Sequence, residues 1–248
     1  MEITSVSNEL VKETAKLQQK KYRDESGEFL LEGNKAVEEW YNNGFGFKHV
    51  FVLKEKVSKY SFLGKDLILT TSAVLKKISS TVTEPEIVAV GEKIKFDEKI
   101  LKSVKKVLLL EGIKDAGNLG TILRSATAFG INAVVLYGDC IDIYNPKCIR
   151  SAVGNFGKIS IFEMNKIQEL DKYFCGFERV ATLPRSKNLL RNFEFKTPAL
   201  IMFGSEADGL SEELINYSTN SVKIEMADSV ESLNLSVSCA VVMYEMMN

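Results

Sequence analysis

The second half of the chain carries a series of short, mainly apolar runs: Val107 to Leu110, Ala133 to Leu136, Ile159 to Phe162, Val180 to Leu183 and Leu200 to Phe203, with a further short strand at Val222 to Ile224. Segments of helical pattern separate them. An unbroken apolar strand has to be covered on both faces, and strands joined by helices pair in parallel, so this stretch predicts a mostly parallel α/β sheet. Ligands in such sheets bind at the carboxyl ends of the strands. The turns after Leu110, Phe203 and Ile224 are therefore where chemistry is expected.

The first half is weaker in pattern. Phe29 to Leu31, Val50 to Leu53, Leu67 to Leu69 and Ile87 to Val90 read as strands, with a helix around Ala36, Val37, Trp40 and Tyr41. This is a small α/β unit. Between Gly91 and Lys106 the chain turns rich in charge and poor in aromatics, which marks a linker at about 91–106. The expected division is a domain over 1–98 and a second over 104–248.

Composition removes several classes of function. A chain of 248 residues with 45% apolar and 26% charged residues is long enough for one large domain or two modest ones. No apolar run reaches the roughly 18 residues of a membrane span, and Met1 to Lys12 lacks the apolar core of a secretory signal, so a cytoplasmic protein is expected. The four cysteines form no C-x-x-C pair and His49 is the sole histidine, so no metal is expected. Histidine-based triads are excluded unless His49 takes part, and its place beside Val50 to Leu53 favours a structural role. A net charge of −1 requires any nucleic-acid contact to be local. Positive charge does gather at Lys12, Lys16, Lys20, Lys21 and Arg23, as a solvated helix face or as an RNA-contacting arm.

The first turn leads into a helix expected from Asn118, read as its N-cap, to Phe129. Leu119, Ile122, Leu123 and Ala126 form its apolar stripe, and Arg124 points about 140° from Leu119, toward solvent or a ligand. The second turn, Phe203-Gly204-Ser205-Glu206-Ala207-Asp208-Gly209-Leu210, sets an acidic group between glycines that permit close backbone approach to a flat ligand. Neither a G-x-G-x-x-G fingerprint nor a G-x-x-x-x-G-K-[ST] phosphate loop is present. The third runs from Val222 to Ser232-Leu233-Asn234-Leu-Ser236, then into a helix so apolar that packing against a second subunit is expected.

Read together, the three turns resemble the motifs of the SpoU/TrmH family of SPOUT RNA methyltransferases. N-x-G-x-x-x-R is matched by Asn118 to Arg124, G-x-E-x-x-G-L by Gly204 to Leu210, and S-L-N-x-S by Ser232 to Ser236. The stretch from Pro146-Lys147 through Arg150 to Gly154 is similar to an intermediate motif, with Ala152 where serine is usual. The first 90 residues resemble the family's small ribosomal-protein-like substrate-binding domain. Two departures stand out: Glu225 where proline is common, and Ala116-Gly117 where proline commonly precedes the residue before the asparagine.

The resemblance implies a C-terminal domain tied in a trefoil knot, a homodimer through that domain, and S-adenosylmethionine as cofactor. It implies cofactor contacts at Thr182, Leu183, Phe203, Gly204, Ile224, Met226 and Leu233, and a catalytic group of Asn118, Arg124, Glu206, Ser232 and Asn234. Lys20, Lys21, Arg23 and Arg150 are the expected RNA contacts. The implied reaction is attack of an RNA ribose 2′-oxygen on the sulfonium methyl, with ribosomal RNA favoured over transfer RNA. Arg124 serves as proton acceptor or as a holder of phosphate and alkoxide; a guanidinium pKa above about 12 favours the second. The rivals are a non-catalytic RNA-binding or ribosome-assembly factor and an enzyme that methylates a base nitrogen.

Overall fold

In the computed structural model, which describes residues 1–64, 66–227 and 229–247, the elements in chain order are as follows. The first stretch holds β1 (Glu2–Ile3), α1 (Glu9–Lys16), α2 (Lys20–Ser26), β2 (Glu28–Glu32), α3 (Asn34–Asn42), β3 (His49–Leu53), β4 (Leu67–Thr70), α4 (Ser72–Ile78) and β5 (Ile87–Glu92). Then come β6 (Lys106–Glu111), α5 (Ala116–Ala128), β7 (Ala133–Tyr137), α6 (Pro146–Ser151), β8 (Ser160–Met164), α7 (Ile167–Phe174), β9 (Glu178–Thr182), β10 (Ala199–Phe203), α8 (Glu212–Tyr217), β11 (Asn220–Val222) and α9 (Leu235–Glu245). The chain forms two compact units. One comprises Met1–Ile94 with Asp142–Gly157, the other Lys95–Ile141 with Lys158–Asn248.

The first unit is a five-stranded mixed sheet in the order β1-β4-β3-β5-β2. β3 runs parallel to β4 and antiparallel to β5, and β2 lies antiparallel to β5 on the edge. Alternation along the strands sends Leu30, Phe51, Val88 and Val90 to one face, where Val11 and Leu17 and the α4 residues Val74, Leu75 and Ile78 close the core. Phe29 faces the other way. Its ring lies 5.1 Å from Trp40, 4.8 Å from Tyr144 and 5.9 Å from Phe156.

Two of those three partners come from residues 142–157, which the sequence places inside the stretch 104–248. They pack with the first unit for physical reasons that spacing does not reveal. Tyr144 and Phe156 fill an aromatic cluster, and the Asp142 carboxylate accepts from the Arg23 guanidinium, Nη2 at 2.6 Å and Nε at 2.8 Å. Both side chains are buried.

The second unit is a six-stranded sheet, parallel at every pairing, in the order β11-β9-β10-β6-β7-β8. The chain builds outward from β6 through β7 to β8, then returns to build β9, β10 and β11 on the other side of β6. The reversal falls between β6 and β10, where the expected crevice opens at the carboxyl ends. On one face Val107, Leu109, Val135 and Met202 pack with Leu170 and Phe174 of α7 and Leu214 of α8. The opposite face is the side of α5 and α9, which pack on each other. Among the described residues, no helix is long and apolar enough to cross a membrane.

Candidate active site

Parallel pairing puts the ends of four strands side by side. Phe203 at the end of β10 is registered with Leu110 of β6, Met202 with Ala181 of β9, and Val222 of β11 with Thr182. The loops leaving β9, β10 and β11 therefore enclose a common space, a cavity of about 720 Å³. Its lining includes Thr182, Leu183, Phe203, Gly204, Ile224, Met226 and Leu233, all seven residues expected to hold a cofactor, together with Glu206, Ser232 and Asn234. The volume lies within the usual range of small-molecule and cofactor sites, roughly 300–1,000 Å³.

Gly204 is fixed by close approach. A Cβ there would sit 1.9 Å from the carbonyl carbon of Gly209 and 2.1 Å from the amide nitrogen of Leu210, both backbone atoms with nowhere to move. The 204–209 loop closes on itself at this point, with the Gly209 amide donating to the Ser205 carbonyl at 3.1 Å and Gly209 at a φ of +69°. That closure sets Glu206, exposed, at the rim of the cavity.

The polar groups of the three motifs meet there. Asn118 Nδ2 donates to Glu206 Oε1 at 2.5 Å, and Asn234 Nδ2 donates to Asn118 Oδ1 at 3.1 Å. Asn234 is also the N-cap of α9, its Oδ1 accepting from the Ser236 amide at 2.9 Å and the Ser236 hydroxyl at 2.6 Å. Asn118 differs from its expected place. Helix α5 begins two residues earlier, at Ala116, and its N-cap is Asp115, whose carboxylate accepts from the Asn118 amide at 2.8 Å. With capping done by Asp115, the Asn118 side chain is released to bridge Glu206 and Asn234.

Arg124, six residues along the same helix, is exposed as its angle from the apolar stripe requires, and has no carboxylate partner among the described residues. Ser232 lines the cavity and is exposed. Glu225, between the cavity residues Ile224 and Met226, is paired with Arg191 Nε at 2.7 Å. Beneath the cluster, Cys239 is fully buried; burial first, and the Glu206 carboxylate second, push its thiol well up, so it is no nucleophile. Among the described residues, no three His, Cys, Asp or Glu side chains gather as a metal-binding group.

Part of the lining lies outside the residues expected from the motifs. Pro184 and Arg185 follow directly from β9 and could have been found from the strand-end rule. Ile215 of α8 and Val242 of α9 carry no local signal, since only tertiary packing brings them to the cavity.

The expected RNA contacts divide. Lys20 and Lys21 are exposed on α2, paired with Asp24 at 2.5 Å and Glu25 at 3.9 Å. Arg23 is not available to RNA: it is 2% exposed, and besides Asp142 it donates to the carbonyls of Leu17 and Gln18, each at 2.9 Å. Arg150 is half-buried, hydrogen-bonded to the Glu32 carboxylate and, at 2.8 Å, to the Ser80 hydroxyl.

Residues 105–244 match the SpoU rRNA Methylase family. The chain belongs to that family. Residues 8–89 of this SpoU methylase match the MRM3-like substrate binding domain. Among relatives of the SpoU methylase, an uncharacterized tRNA/rRNA methyltransferase of Synechocystis is 34% identical, over 98% of this chain and 92% of its own length. The 23S rRNA (guanosine(2553)-2′-O)-methyltransferase of Bacillus subtilis is 28% identical over 99% of this chain and 98% of its own. The AdoMet-bound rRNA methyltransferase of Sinorhizobium meliloti superposes with a TM-score of 0.89 at 25% identity, covering 99% of this chain and 97% of that one.

Proposed function

We propose that this SpoU methylase transfers the methyl group of S-adenosylmethionine to a ribose 2′-hydroxyl of ribosomal RNA, in the cytoplasm and as a homodimer. The observation that carries the reading is the chain of contacts from Asn234 through Asn118 to Glu206 at the rim of the 720 Å³ cavity. It joins all three motifs at one point. The names of the rRNA 2′-O-methyltransferase relative and of the AdoMet-bound neighbour favour the same substrate and cofactor.

When bound, S-adenosylmethionine supplies a methyl group activated by its own sulfonium charge. The cavity suits it: Leu183, Phe203 and Leu233 are apolar walls for a flat base, and Gly204, Ile224 and Met226 offer backbone groups at strand ends. The chain's own part is alignment and proton handling. Asn118 and Asn234 orient the ribose hydroxyl with their amides. Glu206, an acceptor while ionised, takes the hydroxyl proton. Arg124, which has no carboxylate partner among the described residues, holds an RNA phosphate and steadies the developing alkoxide. Lys20, Lys21 and Arg150 serve the small unit's hold on RNA, whereas Arg23 holds the fold.

The homodimer is supported by α9. Val237, Val241 and Tyr244 follow one another at helical spacing and are 47%, 37% and 58% exposed, with Met247 at 55% beyond the helix. The knot is supported by how the last segment engages the loop between β9 and β10. The Lys223 amide donates to the Asn188 carbonyl, the Leu190 amide donates to the Lys223 carbonyl, and α9 packs on the turn at Leu190–Asn192.

The test is transfer of labelled methyl from S-adenosylmethionine to ribosomal and transfer RNA from a strain lacking the protein, followed by nucleoside analysis. A labelled 2′-O-methylnucleoside in the ribosomal fraction is expected. A label on a base, or none from protein that binds the cofactor, overturns the reading.

A further inference from the structure

The first unit contains a cleft of its own, about 350 Å³, lined by residues of α1, α2, β2, β3 and β5 with their flanks. Its composition is specific. Tyr22 is a half-buried aromatic in the lining, with the Lys16 and Lys21 ammonium groups each 5.6 Å from the ring centroid. Lys16 and Lys48 are the cations of the lining, Glu13, Glu25 and Glu28 the carboxylates, and His49 stands at the start of β3. Each lysine is matched to an acid: Lys16 to Glu13 at 2.6 Å, Lys48 to Glu28 and Lys21 to Glu25. Burial first, then the Lys48 charge, lower the His49 pKa, so the imidazole is neutral at pH 7.

A cleft with these groups does not suit a bare phosphodiester, because three carboxylates line it. A ligand that fits brings N–H donors to the carboxylates, a flat face to Tyr22 and negative charge to the lysines. One nucleotide has all three, provided its base presents an imino and an amino group along one edge. Guanine does so, and adenine lacks the imino donor. The volume suits one nucleotide. Aromatic stacking with carboxylate or amide readout of a splayed base is how proteins read single-stranded RNA.

We propose that this cleft binds an unpaired guanosine of the RNA substrate, stacked on Tyr22 and read by the carboxylates of Glu13, Glu25 or Glu28. The proposal rests on the reading of the protein as an RNA methyltransferase and names a second contact to that RNA, within the small unit. Lys16 and Lys48 take the flanking phosphates, and the neutral His49 packs beside the base.

The experiment uses the full chain and fluorescence anisotropy with three labelled oligonucleotides, AAGAA, AAIAA with inosine at the centre, and AAAAA. Free GMP serves as competitor. AAGAA binding tighter than AAIAA, which lacks the amino donor, and AAAAA, which lacks the imino donor, is expected, on the order of tenfold for loss of the bidentate contact. Tyr22→Ala weakens AAGAA by on the order of tenfold, the size of a lost base stack, and Tyr22→Phe restores it. Equal affinity for the three oligonucleotides overturns the proposal, as does unchanged AAGAA binding by a folded Tyr22→Ala protein. Competition by GMP as effective as by AAGAA overturns the RNA-borne source in favour of a free nucleotide. Methyl transfer to ribosomal RNA separates the two levels: transfer without discrimination among oligonucleotides removes the cleft alone. Discrimination by Tyr22 without any transfer leaves the cleft standing and removes the reaction.

Discussion

The two units treat their polar residues in opposite ways. In the second unit Glu206, Ser232 and Asn234 line one cavity, with Asn118 joined to both Glu206 and Asn234. In the first unit the cations singled out by charge alone are tied up by partners, Arg23 completely and Lys20 and Lys21 on the surface. Motif spacing encodes geometry because the parallel sheet fixes where each strand ends. Clustered charge encodes only that side chains are near one another along the chain, and a buried structural pair looks the same as an exposed binding face.

The largest expected effect lies where the backbone leaves no room. Gly204→Ala places a methyl group against the peptide joining Gly209 to Leu210 and is expected to abolish binding of S-adenosylmethionine, measured by calorimetry. Overpacking of this kind typically costs about 1–3 kcal/mol in stability as well. Measurable cofactor affinity in this variant would show that the loop does not form the binding wall.

Next comes the contrast within the basic stretch itself. Arg23→Ala strands Asp142 in a buried site and is expected to destabilise the protein by about 3–5 kcal/mol. Denaturation followed through Trp40, the sole tryptophan, reads this directly, because its ring belongs to the cluster with Phe29 and Phe156. The double variant Lys20→Ala with Lys21→Ala is expected to do the reverse. Its stability stays within about 1 kcal/mol, since exposed pairs contribute little. Its affinity for RNA falls, and the salt dependence flattens by about one to two ions. A stable Arg23→Ala protein with weakened RNA binding would erase the distinction between the two regions.

Much of the second unit was legible because most of its strands carry apolar runs and the turns after Leu110 and Phe203 each follow one; β11, Asn220–Val222, is an exception. The helical start at Ala116 was not, because Asp115 and Asn118 are both good caps and only the structure shows which side chain is needed elsewhere. The place of residues 142–157 was also hidden. Nothing in the spacing of Tyr144 and Phe156 names Phe29 as the ring they meet. The burial of Arg23 fails for the same reason, since its partner lies 119 positions away.

The smallest expected effect concerns acid stability of the first unit. The hydrogen bond from Lys59, reinforced by Tyr60, holds the Glu86 carboxyl at about 2 against an ordinary value of 4.5. A lowered folded-state pKa stabilises the protein above the unfolded value and is lost as pH falls, here between about 4.5 and about 2. Glu86→Gln is expected to flatten the pH dependence of unfolding in that window and to leave stability at pH 7 slightly lower. An unchanged pH profile would show that the exposed Lys59 partner is screened by solvent.

If the contact between Asn118 and Glu206 marks the site of ribose methylation, loss of the Asn118 amide slows the transfer step itself. The direct measurement is single-turnover methyl transfer to ribosomal RNA at saturating S-adenosylmethionine, by the wild-type protein and by Asn118→Ala, with digestion of the product to nucleosides. A 2′-O-methylnucleoside is expected from the wild type. In the variant the rate is expected to fall by on the order of a hundredfold, with cofactor affinity unchanged. Transfer at the wild-type rate by Asn118→Ala, or a methyl group found on a base, would contradict that placement of the site.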